Sequence, residues 1–193
     1  MEFTKHIDNA EVNEMPLRFF QGDIHLVSNI SEYQEVIPKL LKSKELGFDT
    51  ETRPSFKKGV SNKVALLQLS TEKEAFLFRL NKIGLPAELC SILADPNIMK
   101  VGVAIRDDIK SLISINSFDA NGFIDLQDEV RKLGFESFSL KKMAAIVLGF
   151  RISKSQQLSN WNADELINSQ LVYAATDAWV SLLICKGLRN NSL

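Results

Sequence analysis

The hydrophobic positions of this chain alternate in short runs through its first half and follow a helical period through its second half. After residue 22, β-rich runs predict four strands, IHLV, LGFDTE, KVALLQLS and EAFLF, and the segment SEYQEVIPKLLKS after the first of them predicts a helix. Short links join the last three of these strands. We therefore expect an antiparallel meander.

Helical patterns dominate the rest of the chain. The segments PAELCSILAD and DDIKSLISI predict helices, IMKVGVA predicts a strand, GFIDL predicts a short strand or turn, and the remainder to residue 193 has helical character. Strands that come first and helices that gather later are typical of an α/β domain with a mixed β-sheet flanked by α-helices. We expect residues 1–22 to be an amino-terminal extension and residues 23–193 to be one domain.

The composition supports a single well-cored domain. The 193 residues are 45% hydrophobic and 24% charged, and no run approaches the roughly 20 apolar residues that span a bilayer. Acidic residues near the amino terminus do not fit a secretory leader, so we expect no membrane association and an intracellular, cytoplasmic location.

Cys90 and Cys185 lie in apolar surroundings, which favours buried thiols over a disulfide or a zinc site. The net charge of −1 indicates no polyanionic partner by itself.

Two carboxylates occupy alternate positions of one predicted strand. Asp49 and Glu51 lie in LGFDTET, and residues two apart on a strand point to the same face. Converging like charges are costly unless a cation neutralises them. A D-x-E pair alone is also typical of solvated charges, so its meaning depends on the other acidic residues.

Two further positions could join this pair. Asp177 lies in the helical segment YAATDAWVSLLI with Tyr173 one turn earlier on the same face, although an exposed aspartate and a tyrosine at the core edge would give the same pattern. Asp107 and Asp108 follow an apolar strand and open a helix, where one acid can be an N-cap and the other a ligand.

Together, Asp49, Glu51, Asp108 and Asp177 are hard oxygen ligands of the kind that binds Mg²⁺ or Mn²⁺. Two such ions can stabilise the attacking and leaving oxygens of a phosphodiester displacement. Tyr173 fits the role of a group that orients or activates the water. The histidines, His6 and His25, both precede the acidic motifs and are interpreted as surface or core residues.

The motifs resemble those of one family. GFDTETRPSFKKG followed by KVALLQLS, then KVGVAIRDDIKSL, and finally SLKKMAAIVLGF, SNW and YAATDA resemble the DEDD superfamily of 3′→5′ exonucleases in its tyrosine subtype, which includes the exonuclease domains of ribonuclease D and the Werner syndrome protein. The resemblance runs from about residue 24 to residue 189. The chain departs from the Werner-type pattern at Lys110, where that pattern has tryptophan, and at Glu165, where proline is common.

The resemblance implies a ribonuclease H-like fold and release of nucleoside 5′-monophosphates from nucleic-acid 3′ ends. It assigns Asp49 and Glu51 to the first motif and selects Asp108 rather than Asp107 for the second. It assigns Tyr173 and Asp177 to the third motif, with the tyrosine positioning or activating the attacking water.

Basic residues are separated from acidic ones near these motifs, which favours a groove for a polyanion. The same residues could also belong to ordinary solvated loops. The candidate substrate-binding residues are Thr50, Arg53, Phe56, Lys57, Lys58, Gln68, Lys154 and Trp161. Trp161 fits the core equally well, because large aromatic residues are mostly buried.

Three functions fit the pattern. The first is a metal-dependent exonuclease acting on the 3′ ends of DNA or RNA. The second is a nucleic-acid-binding or scaffolding module of the same fold with weak catalysis, against which the presence of all four carboxylates argues. The third is a phosphohydrolase of small molecules, which would need a closed pocket.

Overall fold

A six-stranded mixed sheet forms the centre of the computed structural model, which describes residues 3–54 and 62–191. The spatial order is β1-β4-β3-β2-β5-β6. Strands β2, β3 and β4 form the predicted antiparallel meander, while β1, β5 and β6 pair in parallel with β4, β2 and β5. The strands are β1 Asp23–Val27, β2 Glu45–Thr52, β3 Val64–Ser70, β4 Glu74–Arg79, β5 Met99–Gly102 and β6 Phe123–Asp125.

Helices cover both faces of the sheet. Helices α2, α4 and α5 pack on one face, and helices α6, α7 and α8 pack on the other. This double cover explains why every residue of β3 is buried. The helices are α1 Asn9–Glu14, α2 Ile30–Leu40, α3 Leu80–Ile83, α4 Ala87–Ala94, α5 Arg106–Ile113, α6 Leu126–Lys132, α7 Leu140–Leu148 and α8 Asn168–Asn190.

Helix α8 lies directly on the sheet. A Cβ atom added at Gly47 of β2 would overlap the carbonyl oxygen of Ala178, so only glycine permits this approach. By length and composition α8 could span a membrane, but 67% of its most apolar window is buried within the domain. That burial is expected for a helix at the centre of a folded domain.

The segment between α7 and α8 departs from the prediction. Continuous helix was expected there, but residues 149–167 contain no helix. Gly149 ends α7 in the left-handed conformation, with φ of 72°, which glycine adopts without strain. The polar run that follows has no apolar stripe to bury and forms turns instead.

The amino-terminal extension packs against the domain along α7 and α8. Val12 is fully buried in a small cluster with Ile7 and Ala145, and Phe20 is buried with its ring 5.9 Å from that of Trp179. The backbone amide of Arg18 donates to the carbonyl of Arg151 at 2.9 Å. Residues 3–22 therefore share buried surface with the elements that follow them.

We predict that Val12→Ala lowers the free energy of unfolding of the whole domain by about 1–3 kcal/mol, because it leaves a void beneath α1. Glu14→Ala, at an exposed position of the same helix, is the control and should change stability by less than about 0.5 kcal/mol. Urea unfolding followed by circular dichroism measures both. Equal midpoints for Val12→Ala and the wild type would mean that the extension contributes nothing to the stability of the domain.

Candidate active site

Strand β2 carries two carboxylates past the edge of its neighbour β5. The parallel pairing with β5 ends where Gly47 meets Val101, and β2 continues to Thr52. Asp49 and Glu51 alternate with Thr50, so both point to the α8 face of the sheet. The buried residues Leu46 and Phe48 hold the strand in the core just before this point.

Helix α8 brings a third carboxylate to the same place. Ligand oxygens of Asp49, Glu51 and Asp177 all lie within 4.8 Å of one another. Asp177 is almost fully buried, and the phenol of Tyr173, one helical turn earlier, lies close enough to lower the pKa of its carboxyl. The spacing that predicted a shared helix face therefore places the phenol beside the carboxylate cluster.

The two consecutive aspartates at the start of α5 face in different directions. Asp107 is exposed and forms an ion pair of 2.9 Å with Lys110. Asp108 is half-buried, and its carboxylate accepts a hydrogen bond from the hydroxyl of Thr50. Asp108 is not among the carboxylates whose oxygens lie within 4.8 Å of one another, but its charge raises the pKa of Asp49 and Glu51.

A strained turn positions Asp108. Ala104, between β5 and α5, has a φ of 57°, which is uncommon for a residue with a side chain. The carboxylate of Asp125 accepts hydrogen bonds from the amides of Ala104 and Ile105 at 3.0 and 3.2 Å, and it also caps α6 through Gln127. Asp125 therefore stabilises the turn that leads into α5.

Burial and mutual repulsion favour the protonated carboxyls. Burial, followed by the charges of Asp177 and Asp108, raises the pKa of Asp49 well above its ordinary value. Burial, followed by the charge of Asp49, raises the pKa of Glu51 to about 10. For Asp177, burial raises the pKa to about 7, and the hydrogen bond from Tyr173 and the charge of Lys154 oppose that rise. Burial also raises the pKa of Tyr173, so its phenol stays protonated at neutral pH.

These carboxylates fit a divalent cation. One carboxylate oxygen of Asp177 is buried and has no hydrogen-bond partner among the described residues. A buried carboxylate oxygen without a partner is unfavourable unless a cation binds it. The donor set is all oxygen, which suits Mg²⁺ or Mn²⁺.

A cleft of about 290 Å³ opens onto the cluster. The three carboxylates, Thr50 and Tyr173 line it together with polar residues of α7 and of the segments on either side of that helix. Those residues include Ser139, Lys141, Ser153, Lys154 and Gln157. Two lysines therefore line the same cleft as the acidic cluster.

A comparison with protein families assigns the fold to a known group. The model of the 3′-5′ exonuclease family matches residues 24–192. The chain belongs to the 3′-5′ exonuclease family. Its predicted α/β, ribonuclease H-like fold is confirmed by two solved structures. The Nibbler EXO domain of Aedes aegypti has a TM-score of 0.81 and 24% identity over 90% of this chain and 91% of that one. Escherichia coli RNase D has a TM-score of 0.78 and 22% identity over 88% and 45%.

Curated relatives of this exonuclease-family chain are much longer. The putative 3′-5′ exonuclease R431 of Acanthamoeba polyphaga mimivirus is 36% identical over 167 residues, which are 77% of this chain and 41% of that protein. The mouse bifunctional 3′-5′ exonuclease/ATP-dependent helicase WRN is 32% identical over 92% of this chain and 13% of its own length. The chain thus spans less than half of either relative.

The predicted substrate-binding residues of the exonuclease-family domain lie in different environments. Thr50 and Lys154 line the cleft, and Arg53 is exposed just beyond the end of β2. Phe56, Lys57 and Lys58 lie outside the described residues. Gln68 and Trp161 are both 0% exposed, so the prediction that they contact substrate directly does not fit the structure.

Gln68 and Trp161 instead lie in the core beside Asp49 and Tyr173. Gln68 pairs with Asp49 across the β2–β3 ladder, and neither atom of its side-chain amide has a partner among the described residues. The ring of Trp161 lies 6.0 Å from that of Tyr173. Trp161 is therefore a core residue, which was one of the two interpretations that the sequence allowed. The buried guanidinium of Arg79 donates to the carbonyls of Ala163 and Asp164 and so fixes the loop carrying Trp161.

Asp125 and Arg79 are the positioning residues that the sequence analysis missed. An aspartate at the end of GFIDL, just before a helix, was the available signal for Asp125, since the carboxyl end of a strand often borders a site. No local signal marked Arg79, because its partners lie 84 and 85 residues away.

We predict that the metal-free protein loses stability as the pH rises from about 4 to about 7. The ordinary pKa of an aspartate, about 3.9, applies to the unfolded chain, whereas the pKa of Asp177 in the folded protein is about 7. Between these values the folded state binds more protons, so raising the pH favours unfolding. Asp177→Asn should therefore flatten the profile of melting temperature against pH in the presence of EDTA.

Asp107→Asn serves as the control, because the Asp107 side chain is 92% exposed. It should leave the slope of the profile unchanged. A slope in Asp177→Asn as steep as in the wild type would show that Asp177 does not cause the pH dependence.

Proposed function

We propose that this protein is a metal-dependent exonuclease that hydrolyses phosphodiester bonds at nucleic-acid 3′ ends and releases nucleoside 5′-monophosphates. The observation that carries the proposal is the convergence of Asp49, Glu51 and Asp177, with Asp108 hydrogen-bonded to Thr50 between the first two. Membership of the 3′-5′ exonuclease family supports the reaction class. The positions of Tyr173 and Asp177 support the tyrosine subtype.

Two divalent cations, Mg²⁺ or Mn²⁺, would be held by the four carboxylates. When bound, they would stabilise the charge that develops on the attacking and leaving oxygens. The partnerless oxygen of Asp177 supports this assignment from the structure. The EXD2 exonuclease domain, whose crystal was soaked in Mn, gives further support, with 31% identity over 88% of this chain and a TM-score of 0.51.

The other residues of the cleft would orient substrate and water. The protonated phenol of Tyr173 would hold the attacking water through a hydrogen bond, with Asp177 fixing its orientation. Lys141 and Lys154, which line the cleft, would attract the phosphates, and Arg53 would extend this positive surface. Trypanosoma brucei RNase D in complex with RNA U12, at a TM-score of 0.75 and 19% identity, shares this fold. We propose single-stranded DNA or RNA as the substrate.

The first experiment incubates the protein with 5′-labelled single-stranded DNA and RNA in Mg²⁺, Mn²⁺ or EDTA. We expect a metal-dependent ladder that shortens from the 3′ end. Asp108→Asn should slow product formation at least a hundredfold, because ligand carboxylates contribute several kcal/mol to the barrier. Its neighbour Asp107→Asn should stay within about twofold of the wild type, since its side chain faces solvent.

Intact substrate in every lane would overturn the proposed activity and favour a binding or scaffolding module. Equal losses in both variants would instead remove the assignment of Asp108 to the metal site.

Tyr173→Phe should slow hydrolysis roughly a hundredfold, the scale of one positioned proton-transfer or water-orienting group. Its affinity for Mn²⁺, measured by titration calorimetry, should change little, because the carboxylates remain. The chain contains one other tyrosine, Tyr33, which donates a hydrogen bond of 3.3 Å to Glu88 away from the cleft. Tyr33→Phe also removes a phenol hydroxyl, but one outside the cleft, and should leave the rate of hydrolysis unchanged. An unaltered rate in Tyr173→Phe would end the assignment of its phenol to the reaction.

A further inference from the structure

A second cleft of about 330 Å³ adjoins the catalytic cleft. Ser153 and Tyr173 line both clefts, so the two are neighbours. Its volume falls within the range of sites that hold small ligands. Leu17, Arg18 and Phe19 form one wall, and the first turns of α8 form the other.

The two apolar residues of this wall, Leu17 and Phe19, are exposed. Leu17 is 45% exposed and Phe19 is 49% exposed, while the next residue, Phe20, is buried. An exposed aromatic residue beside an apolar one in a cleft is typical of a binding surface. The family match begins at residue 24, so this wall comes from residues outside the matched domain.

The backbone of this wall is held on both sides. Leu17 forms a parallel bridge with Arg151, and the amide of Arg151 donates to the carbonyl of Pro16 at 3.0 Å. On the other side, the amide of Phe20 donates to the hydroxyl of Thr176 at 3.0 Å. A surface fixed in this way loses little conformational entropy when a ligand binds.

The chemistry of the second cleft fits one nucleotide. Phe19, Leu17 and Val172 supply apolar contacts for the face of a base, and Asn168 and Ser169 supply polar groups for its edge. Arg18 adds a positive charge for a phosphate, and none of the described residues that line the cleft is acidic.

We propose that this cleft is a subsite for an unpaired base within the last three nucleotides of the substrate strand, with Phe19 as the stacking platform and Arg18 as a phosphate contact. The inference rests on the proposed function, because it takes the strand in the catalytic cleft to be nucleic acid. A base that stacks on Phe19 with its edge toward Asn168 and Ser169 cannot use that edge to pair with a second strand. The subsite therefore selects single-stranded 3′ ends over paired ones.

The test measures the affinity of a 5′-fluorescein-labelled dT 10-mer with phosphorothioate linkages at its 3′ end, by anisotropy in Mg²⁺. Phe19→Ala should weaken binding about tenfold, the scale of one lost base–aromatic contact. Phe19→Trp should restore most of the affinity, because it restores a stacking surface. Leu41→Ala is the matched control: Leu41 is 56% exposed, follows α2 on the opposite face of the sheet, and should have no effect on binding.

Strands with a single abasic position locate the base. The loss of affinity caused by Phe19→Ala should disappear when the abasic site occupies one particular position among the last three. At that position the strand has no base to stack on Phe19, so removing the ring costs no affinity. Arg18→Ala should lower the slope of log Kd against log salt by about 0.7, the value for one phosphate contact on a single strand. A Phe19→Ala penalty that persists for all three abasic strands would overturn the subsite.

The outcomes separate this inference from the proposed function. If the wild type hydrolyses unmodified strands but Phe19→Ala binds as tightly as the wild type, the subsite is wrong and the exonuclease proposal stands. If the wild type binds the probe through Phe19 without hydrolysing any strand, the subsite stands and the activity is wrong. If the wild type neither binds the probe nor hydrolyses any strand, both proposals fail.

Discussion

The close approach of α8 to β2 determines the geometry of the site. At Gly47 the helix backbone contacts the strand backbone with no side chain between them. The helix presents small, buried residues to the sheet at Ala174, Ala175 and Ala178. Because of this contact, Asp177 reaches Asp49 and Glu51. A larger residue at position 47 would displace the helix, and the three carboxylates would separate.

The same contact brings like charges together, so the apolar core must hold them in place. Helix α8 is buried on both sides of Asp177. On one side Val180, Ile184 and Leu188 of α8 belong to one hydrophobic cluster, and on the other side Ala174 packs in a second cluster with Leu66 and Trp161. Each buried side chain of this size contributes about 1.5–3 kcal/mol of burial free energy. That burial free energy offsets the repulsion between the carboxylates. A bound cation would remove most of this repulsion. Cation binding and stability of the folded state should therefore be linked.

The sequence predicted the parts of the site that depend on local spacing. Alternation along β2 placed Asp49 and Glu51 on one face, and one helical turn joined Tyr173 to Asp177. The sequence could not place Gln68, because a polar residue in an apolar run can be exposed or buried according to what covers the strand. The helical character predicted for residues 149–167 also failed, since propensity does not form a helix that has no apolar face to bury. The contacts of residues 3–22 with α7 and α8 join distant positions and carry no local signal.

Two of the proposed active-site residues are positioned by partners from other elements. Asp125 holds the turn before Asp108, and Trp161 packs behind Tyr173 in a loop that Arg79 fixes. Small displacements of such groups reduce catalysis strongly, because the reaction depends on their mutual geometry. Residues far from the cleft therefore contribute to the site by restricting motion. Tyr173 borders the catalytic cleft and the second cleft, so under the proposed function a strand that fills the second cleft would also contact the residue proposed to orient the water. On that proposal, this position would couple strand recognition to hydrolysis.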